Sequence, residues 1–219
     1  MREFLKNNGL SIVLLALFLF SLGGQYVTGW YEHNDDQRMH YRPETSFIGY
    51  AASGHFIEAV FENWESEFLQ MAAFVILTVF LYQRGSAESK SPDDTERVDE
   101  VRQSSKSDVP WPVRRGGAVL TLYSYSLSIA LLLLFLISFV LHGLGGAARY
   151  NTEQLEHGQL AVTTLEYMSS TTFWFESFQN WQSEFLSIAA MVIFTIFLRQ
   201  KGSPESKPVD RAHRETGSS

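Results

Sequence analysis

The chain of 219 residues contains no cysteine. That absence removes disulfides, thiolate metal sites and cysteine nucleophiles together. Also missing are a phosphate-cradling glycine loop, a His-Glu-x-x-His pair and a Gly-x-Ser-x-Gly elbow. Basic residues are few and dispersed, 17 Lys plus Arg against 24 Asp plus Glu, which leaves nucleic acid no electrostatic footprint. The sequence therefore predicts a protein that is not an enzyme, with no catalytic residue, no cofactor and no established metal set.

What the chain does have is apolar length. A mean hydropathy of -0.06 averages over long apolar runs and very polar ones. Four runs stand out, at residues 10–30, 64–82, 118–144 and 181–198. A helix crosses a hydrocarbon core of about 30 Å with about 20 residues. The first and third runs exceed that length, and the second and fourth just reach it. No Ala-x-Ala cleavage site follows the first run, and its sequence twin lies mid-chain, so it reads as a retained helix rather than a signal peptide.

The twin belongs to a tandem repeat. Adding 117 to a residue number in the first half finds its partner in the second, and about 35 of the 80 positions from 11 to 90 are identical without a gap. The identities include Asn, Gln, His, Trp, Glu and Lys outside the apolar runs, so shared hydrophobicity does not produce them. Each repeat crosses twice, so both enter from one side and are parallel copies about an axis along the membrane normal. The expected units are 1–90 and 113–207. Between them lies a charged, Ser-rich linker at 91–112, and after them a polar tail at 208–219. Both are expected to be disordered for want of apolar residues.

Charge sets the orientation. The N-terminus, linker and tail hold 14 of the 17 basic residues, and only Arg38, Arg42 and Arg149 lie in the loops between paired helices. The positive-inside rule then places both termini in the cytoplasm. The outer loops, counted through Glu67 and Glu184, carry 13 acidic residues against those 3 basic ones, an acidic face that attracts cations. The fold class expected is all-α: an integral membrane four-helix bundle of two parallel two-helix repeats, with short amphipathic helices in the outer loops near residues 55–61 and 172–178.

Two stretches carry the polar candidates, "ENWESEFLQMAA" at 62–73 and "QNWQSEFLSIAA" at 179–190. Asn63 and Asn180 suit an N-cap, Trp64 and Trp181 an interfacial anchor, and Glu67 and Glu184 the first helical turn, where the helix dipole favours a carboxylate. Gln70 and Thr78 follow Glu67 on one helical face, as Ser187 and Thr195 follow Glu184. The leading reading is a cap and a tie to a neighbour; the alternative is a stripe that handles a cation or proton. A second set, Asn34, Gln37 and His40 with Asn151, Gln154 and His157, lies in the outer loops. His40 and His157 could meet and bind a metal with nearby acids, although the bland reading is a solvated loop.

With "NWESEFLQMAA", "NWQSEFLSIAA" and "FLRQKGSPESKPV", the chain resembles, over nearly its whole length, a family of small duplicated bacterial inner-membrane proteins classed as a domain of unknown function. The resemblance implies a multi-pass inner-membrane protein with no established activity, cofactor or catalytic residue. The function expected is a structural or interaction role in the envelope, among lipid and a second copy or another membrane protein. A small cation or proton channel using Glu67 and Glu184 is the alternative, and a metal-dependent membrane enzyme a weaker third.

Overall fold

The computed structural model describes residues 2–93, 96–99 and 109–217. The linker expected to be disordered lies partly outside the described residues, at 94–95 and 100–108, as do the last two residues of the tail. Among the described residues the regular structure is helical: α1 (Arg2–Met39), α2 (Phe47–Tyr50), α3 (Gly54–Phe80), α4 (Trp111–Arg115), α5 (Gly117–Ser124), α6 (Ser126–Glu156), α7 (Thr164–Met168) and α8 (Thr171–Phe197), with one 3-10 turn at Arg97–Asp99.

Three of these helices, α1, α6 and α8, are long and apolar enough to cross a membrane. Large apolar side chains along them lie exposed, Leu10, Phe20 and Leu133 among them. The helix that holds the second expected run, α3, carries Glu58, Glu62, Glu65 and Glu67 in its first half and stops at Phe80.

Helix boundaries correct the sequence reading in several places. The outer loops were expected to begin after residues 30 and 144, but α1 continues to Met39 and α6 to Glu156. No proline interrupts either helix, and Asn34, Gln37 and His40 therefore sit on or at the end of a helix rather than in a solvated loop. Both helices stop in one manner. Tyr41 and Gly158 take left-handed backbone angles, φ 56° and 67°. The next amide reaches back five residues, Arg42 N to Gln37 O at 2.8 Å and Gln159 N to Gln154 O at 2.9 Å.

A second correction concerns the N-caps. Asn63 and Asn180 lie well inside α3 and α8, about ten residues past their starts. The caps are Ser53 and Ser170, whose hydroxyls accept from the amides of Phe56 and Phe173 at 3.2 and 3.3 Å. No helix breaker separates "HFIEAVF" or "TFWFESF" from the run that follows, so neither stretch is the separate amphipathic helix expected. Each is the first part of a long helix. The short helices present are instead α2 and α7, capped by Ser46 and Thr163. The third expected run is also split: Tyr125 leaves helical geometry, and the Ser124 and Ser126 hydroxyls bond back to Leu120 O and Tyr123 O at 2.8 Å each.

The chain divides into two units. The first comprises Met1–Phe61 and Leu141–Phe173, the second Glu62–Val140 and Trp174–Ser219. Within the first, two buried tyrosines act as pegs. The Tyr50 hydroxyl sits where a Cβ on Gly29 would be, and the Tyr167 hydroxyl where a Cβ on Gly146 would be. Gly54 and Gly145 likewise lack the side chains that would separate the start of α3 from α6. Two asparagines clamp the turns after the long helices. Asn34 accepts from Thr45 N at 2.7 Å and donates to Thr45 O at 3.0 Å, and Asn151 does the same with Val162 at 2.8 Å each.

In the second unit, the Gly-Ser-x-Glu-Ser-Lys elements at 85–90 and 202–207 fold alike. Gly85 and Gly202 have φ 86° and 84°. The amides of Gln83 and Gln200 donate to Ser89 and Ser206 hydroxyls at 2.8 and 2.9 Å, and those of Glu88 and Glu205 to Ser86 and Ser203 at 3.1 and 3.2 Å. These elements are ordered stops, because each serine hydroxyl accepts from a main-chain amide beyond the helix end.

Candidate functional site

A cleft of about 620 Å³ opens in the first unit. The last turns of α1 supply Glu32, His33, Asp36 and Gln37 from one face, with His40 just beyond the helix end. The last turns of α6 supply Arg149, Thr152, Glu153 and Glu156, with His157 just beyond. The start of α3 adds His55, and the turn after α1 adds Arg42 and Thr45. The structure thus brings His40 and His157 to one cleft, along with two imidazoles that the sequence reading did not single out.

His40 and His157 are held in the same way. Each Nδ1 lies 3.0 or 2.8 Å from the carbonyl four residues earlier, Asp36 O or Glu153 O. A carbonyl only accepts, so each Nδ1 carries a proton, and in the neutral tautomer Nε2 is the nitrogen with the free lone pair. The Asp36 carboxylate also approaches His40 Nδ1 at 3.2 Å. This is the arrangement of a metal-binding or proton-accepting imidazole whose tautomer is fixed by its other nitrogen. Even so, among the described residues no three histidine or carboxylate atoms of the cleft lie within 4.8 Å of one another. Any ion held here keeps part of its water.

Beside this pair runs a hydrogen-bonded chain. The Tyr50 hydroxyl is 2.9 Å from His55 Nδ1, and His55 Nε2 is 3.0 Å from the Glu32 carboxylate. With Nε2–H donating to Glu32, Nδ1 accepts from Tyr50. Burial, with the Glu32 carboxylate nearby, pushes the Tyr50 hydroxyl up to about 12, so it stays a donor throughout the neutral range. Arg42 pairs with Glu156, joining the turn after α1 to the end of α6. Deeper, buried Glu58 receives Arg149 and the Tyr167 hydroxyl, the latter at 3.3 Å. His142, fully buried, stacks on Phe173 with ring centroids 4.7 Å apart.

The second unit holds the Trp–Glu candidates. Trp181 donates to the Glu65 carboxylate at 3.0 Å, so the buried acid of this motif is Glu65, two residues before the one singled out from the sequence. Asn180 donates to Glu62 rather than capping a helix. Glu67 is exposed and Glu184 half-buried, close enough for their charges to interact. Gln70 Nε2 lies 3.5 Å from Ser187 Oγ, joining two positions 117 apart. Thr78 folds back onto Val75 O at 3.0 Å, whereas Thr195 pairs with Ser86 at 3.0 Å. Asn63 is exposed and Trp64 half-buried.

Lys207 was missed entirely. Its ammonium is buried and donates to Gly85 O, Ala212 O, His213 O and Glu215 O, at 2.6 to 3.3 Å. Desolvation, with Arg199 nearby, holds its pKa below the usual lysine value. The signal was available in part, since Lys90 and Lys207 are identical across the repeat offset. The partners were not legible, because main-chain oxygens carry no sequence mark.

The chain belongs to the family described as domain of unknown function DUF6766, which it matches over residues 1–218. No curated protein and no solved structure matches it.

Proposed function

We propose that this chain is a multi-pass protein of the bacterial inner membrane that binds a divalent cation at its outer face and performs no catalysis. In this reading α1, α3, α6 and α8 all cross, as two parallel copies of a two-helix unit, with both termini cytoplasmic. The exposed leucines and phenylalanines of α1 and α6 suit lipid, and most basic residues fall in the termini and the linker rather than in the acidic loops between paired helices. Matched hydrogen bonds at positions 117 apart, from the Asn34 and Asn151 clamps to the Ser53 and Ser170 caps, support the duplication.

One observation carries the binding role: His40 and His157, each with Nε2 unprotonated, line one cleft with Asp36 and Glu153. Imidazole nitrogen beside carboxylate oxygen favours a borderline ion such as Zn²⁺ or Ni²⁺. The test is calorimetric titration of the full chain in detergent micelles with Zn²⁺, then with Mg²⁺. Saturable Zn²⁺ binding that a His40→Ala/His157→Ala variant loses, with little Mg²⁺ response, is the expected result. Equal Zn²⁺ binding by that variant refutes the assignment.

A second reading has its own support in the contact of Gln70 with Ser187 and the proximity of Glu67 to Glu184. In it, the seam between α3 and α8 carries protons or small cations. Proteoliposomes loaded with a pH-sensitive dye should then show flux that a Glu67→Gln/Glu184→Gln variant loses. Flux no greater than that of empty vesicles removes this reading.

A further inference from the structure

The seam between α3 and α8 does not close beyond Gln70 and Ser187. It opens into a cavity of about 250 Å³, lined by Met71, Phe74, Ile188, Met191 and one carboxylate, Glu88. Glu88 does not belong to either helix. It reaches the cavity because Gly85 turns the chain left-handed after α3 and the Ser86 hydroxyl fixes the Glu88 amide at 3.1 Å. Its Oε1 is buried with no hydrogen-bond partner, an expensive arrangement for an ionised carboxylate. Apart from Gln70 and Ser187 the cavity walls are thioether, aromatic and aliphatic, and among the described residues that line it there is no cation to compensate a negative charge.

We propose that Glu88 is a proton-binding carboxyl at the end of this seam, taking up and releasing a proton through the cavity that leads to Gln70 and Ser187. Three positions of one repeat and their counterparts fall in sequence here: Glu67 with Glu184, Gln70 with Ser187, and Glu88 with Glu205. Burial, and after it the nearby charge of Glu205, oppose ionisation and raise the Glu88 carboxyl from its ordinary value. A protonated Glu88 also needs no counter-ion inside an apolar cavity. The transport role of this site rests on the seam reading above, whereas its protonation does not.

Carbodiimide chemistry separates the two. The O–H of a neutral carboxyl adds across one C=N bond of dicyclohexylcarbodiimide, oxygen bonding to the central carbon and the proton passing to nitrogen. The O-acylisourea then rearranges to a stable N-acylurea without any oxidation. The full chain in liposomes is treated with this reagent across a series of pH values and mapped by mass spectrometry. Glu88 should label, with labelling fading as pH rises, and Glu88→Gln should remove that adduct. Glu205→Gln should move the fading to lower pH, which keeps the test usable if Glu88→Gln fails to fold. Absence of an adduct on Glu88, or labelling indifferent to pH, overturns the site. In the dye assay Glu88→Gln should lower proton flux at least ten-fold. Unchanged flux in that variant overturns the transport role of Glu88, while labelling without any wild-type flux supports the site and removes the seam reading.

Discussion

Lys90 and Lys207 share a residue type, a preceding Gly-Ser-x-Glu-Ser element and a place 117 residues apart, yet only one of them is fully buried. Lys90 meets Asp99 at 2.5 Å. Lys207 is enclosed by four main-chain oxygens. The Asn34 and Asn151 clamps, by contrast, are the same to within about 0.2 Å. The difference lies in how far each arrangement reaches along the chain. An asparagine clamp is complete within eleven residues, so a copied segment carries it whole. A lysine at the end of the copied segment takes its partners from whatever follows, and the linker and the tail are different sequences.

The largest effect should come from breaking the unequal pair. Lys207→Met removes the buried donor that four main-chain carbonyls share, costing about 3 kcal/mol. Lys90→Met should leave the thermal midpoint unchanged. Thermal denaturation of both variants in one detergent measures the contrast, and equal losses would erase it.

Next come the equal pair. Asn34→Leu and Asn151→Leu each strand one amide and one carbonyl, for a loss of about 2 kcal/mol apiece. Chemical denaturation should give two similar values, and a two-fold disparity would show that the clamps are alike only in geometry.

A smaller effect of opposite sign is expected at Tyr41. It is fully exposed and sits in the left-handed region that Gly158 occupies in the matching turn. Tyr41→Gly relieves that strain without losing a contact and should stabilise the fold by about 1 kcal/mol. A lower melting temperature in this variant would mean that the strain argument fails.

The smallest effect is a pH response that separates α7 from α2. Glu166 accepts from the Thr163 amide and hydroxyl, which holds its pKa below the usual carboxylate value, and α2 has Gly49 at the matching position. A depressed carboxylate stabilises above its unfolded pKa and loses that contribution as pH falls through its folded one. After correction for the intrinsic rate, amide exchange in α7 should therefore quicken below about pH 4.5, the ordinary glutamate value, while α2 changes less. Equal acceleration in both would refute the role of Glu166.

Periodicity and composition made the long helices legible, and the 117-residue offset made several contacts foreseeable. Serine at 53 and 170, tyrosine at 50 and 167 and glycine at 29 and 146 are identical pairs, and each pair plays one structural part. What stayed illegible was the start of α3 and α8. Asn-Trp at the border of an apolar run has the composition of a cap, but nothing before it breaks a helix, so the helix begins ten residues earlier. The same shift moved the buried carboxylate from Glu67 to Glu65, because a two-residue step turns a side chain through about 200° of the helix. The cleft was half legible: His40 and His157 were visible as a pair, whereas His33 and His55 have no counterpart at the offset.

The pegs at Gly29 and Gly146 have a mechanical consequence. Of the 38 residues of α1, only Asn34 is buried, and a side chain added at Gly9, Gly23 or Gly24 would meet nothing. A rod with so little lateral contact has no preferred azimuth along most of its length. Its rotation is set near one end, by the Tyr50 hydroxyl seated at Gly29 and the Asn34 clamp about one and a half turns further on. The apolar stretch at 10–24 should therefore accept other apolar helical sequence of equal length. A single methyl at Gly29 would instead turn the whole rod, and with it the bearing of His33, Asp36 and His40 in the cleft.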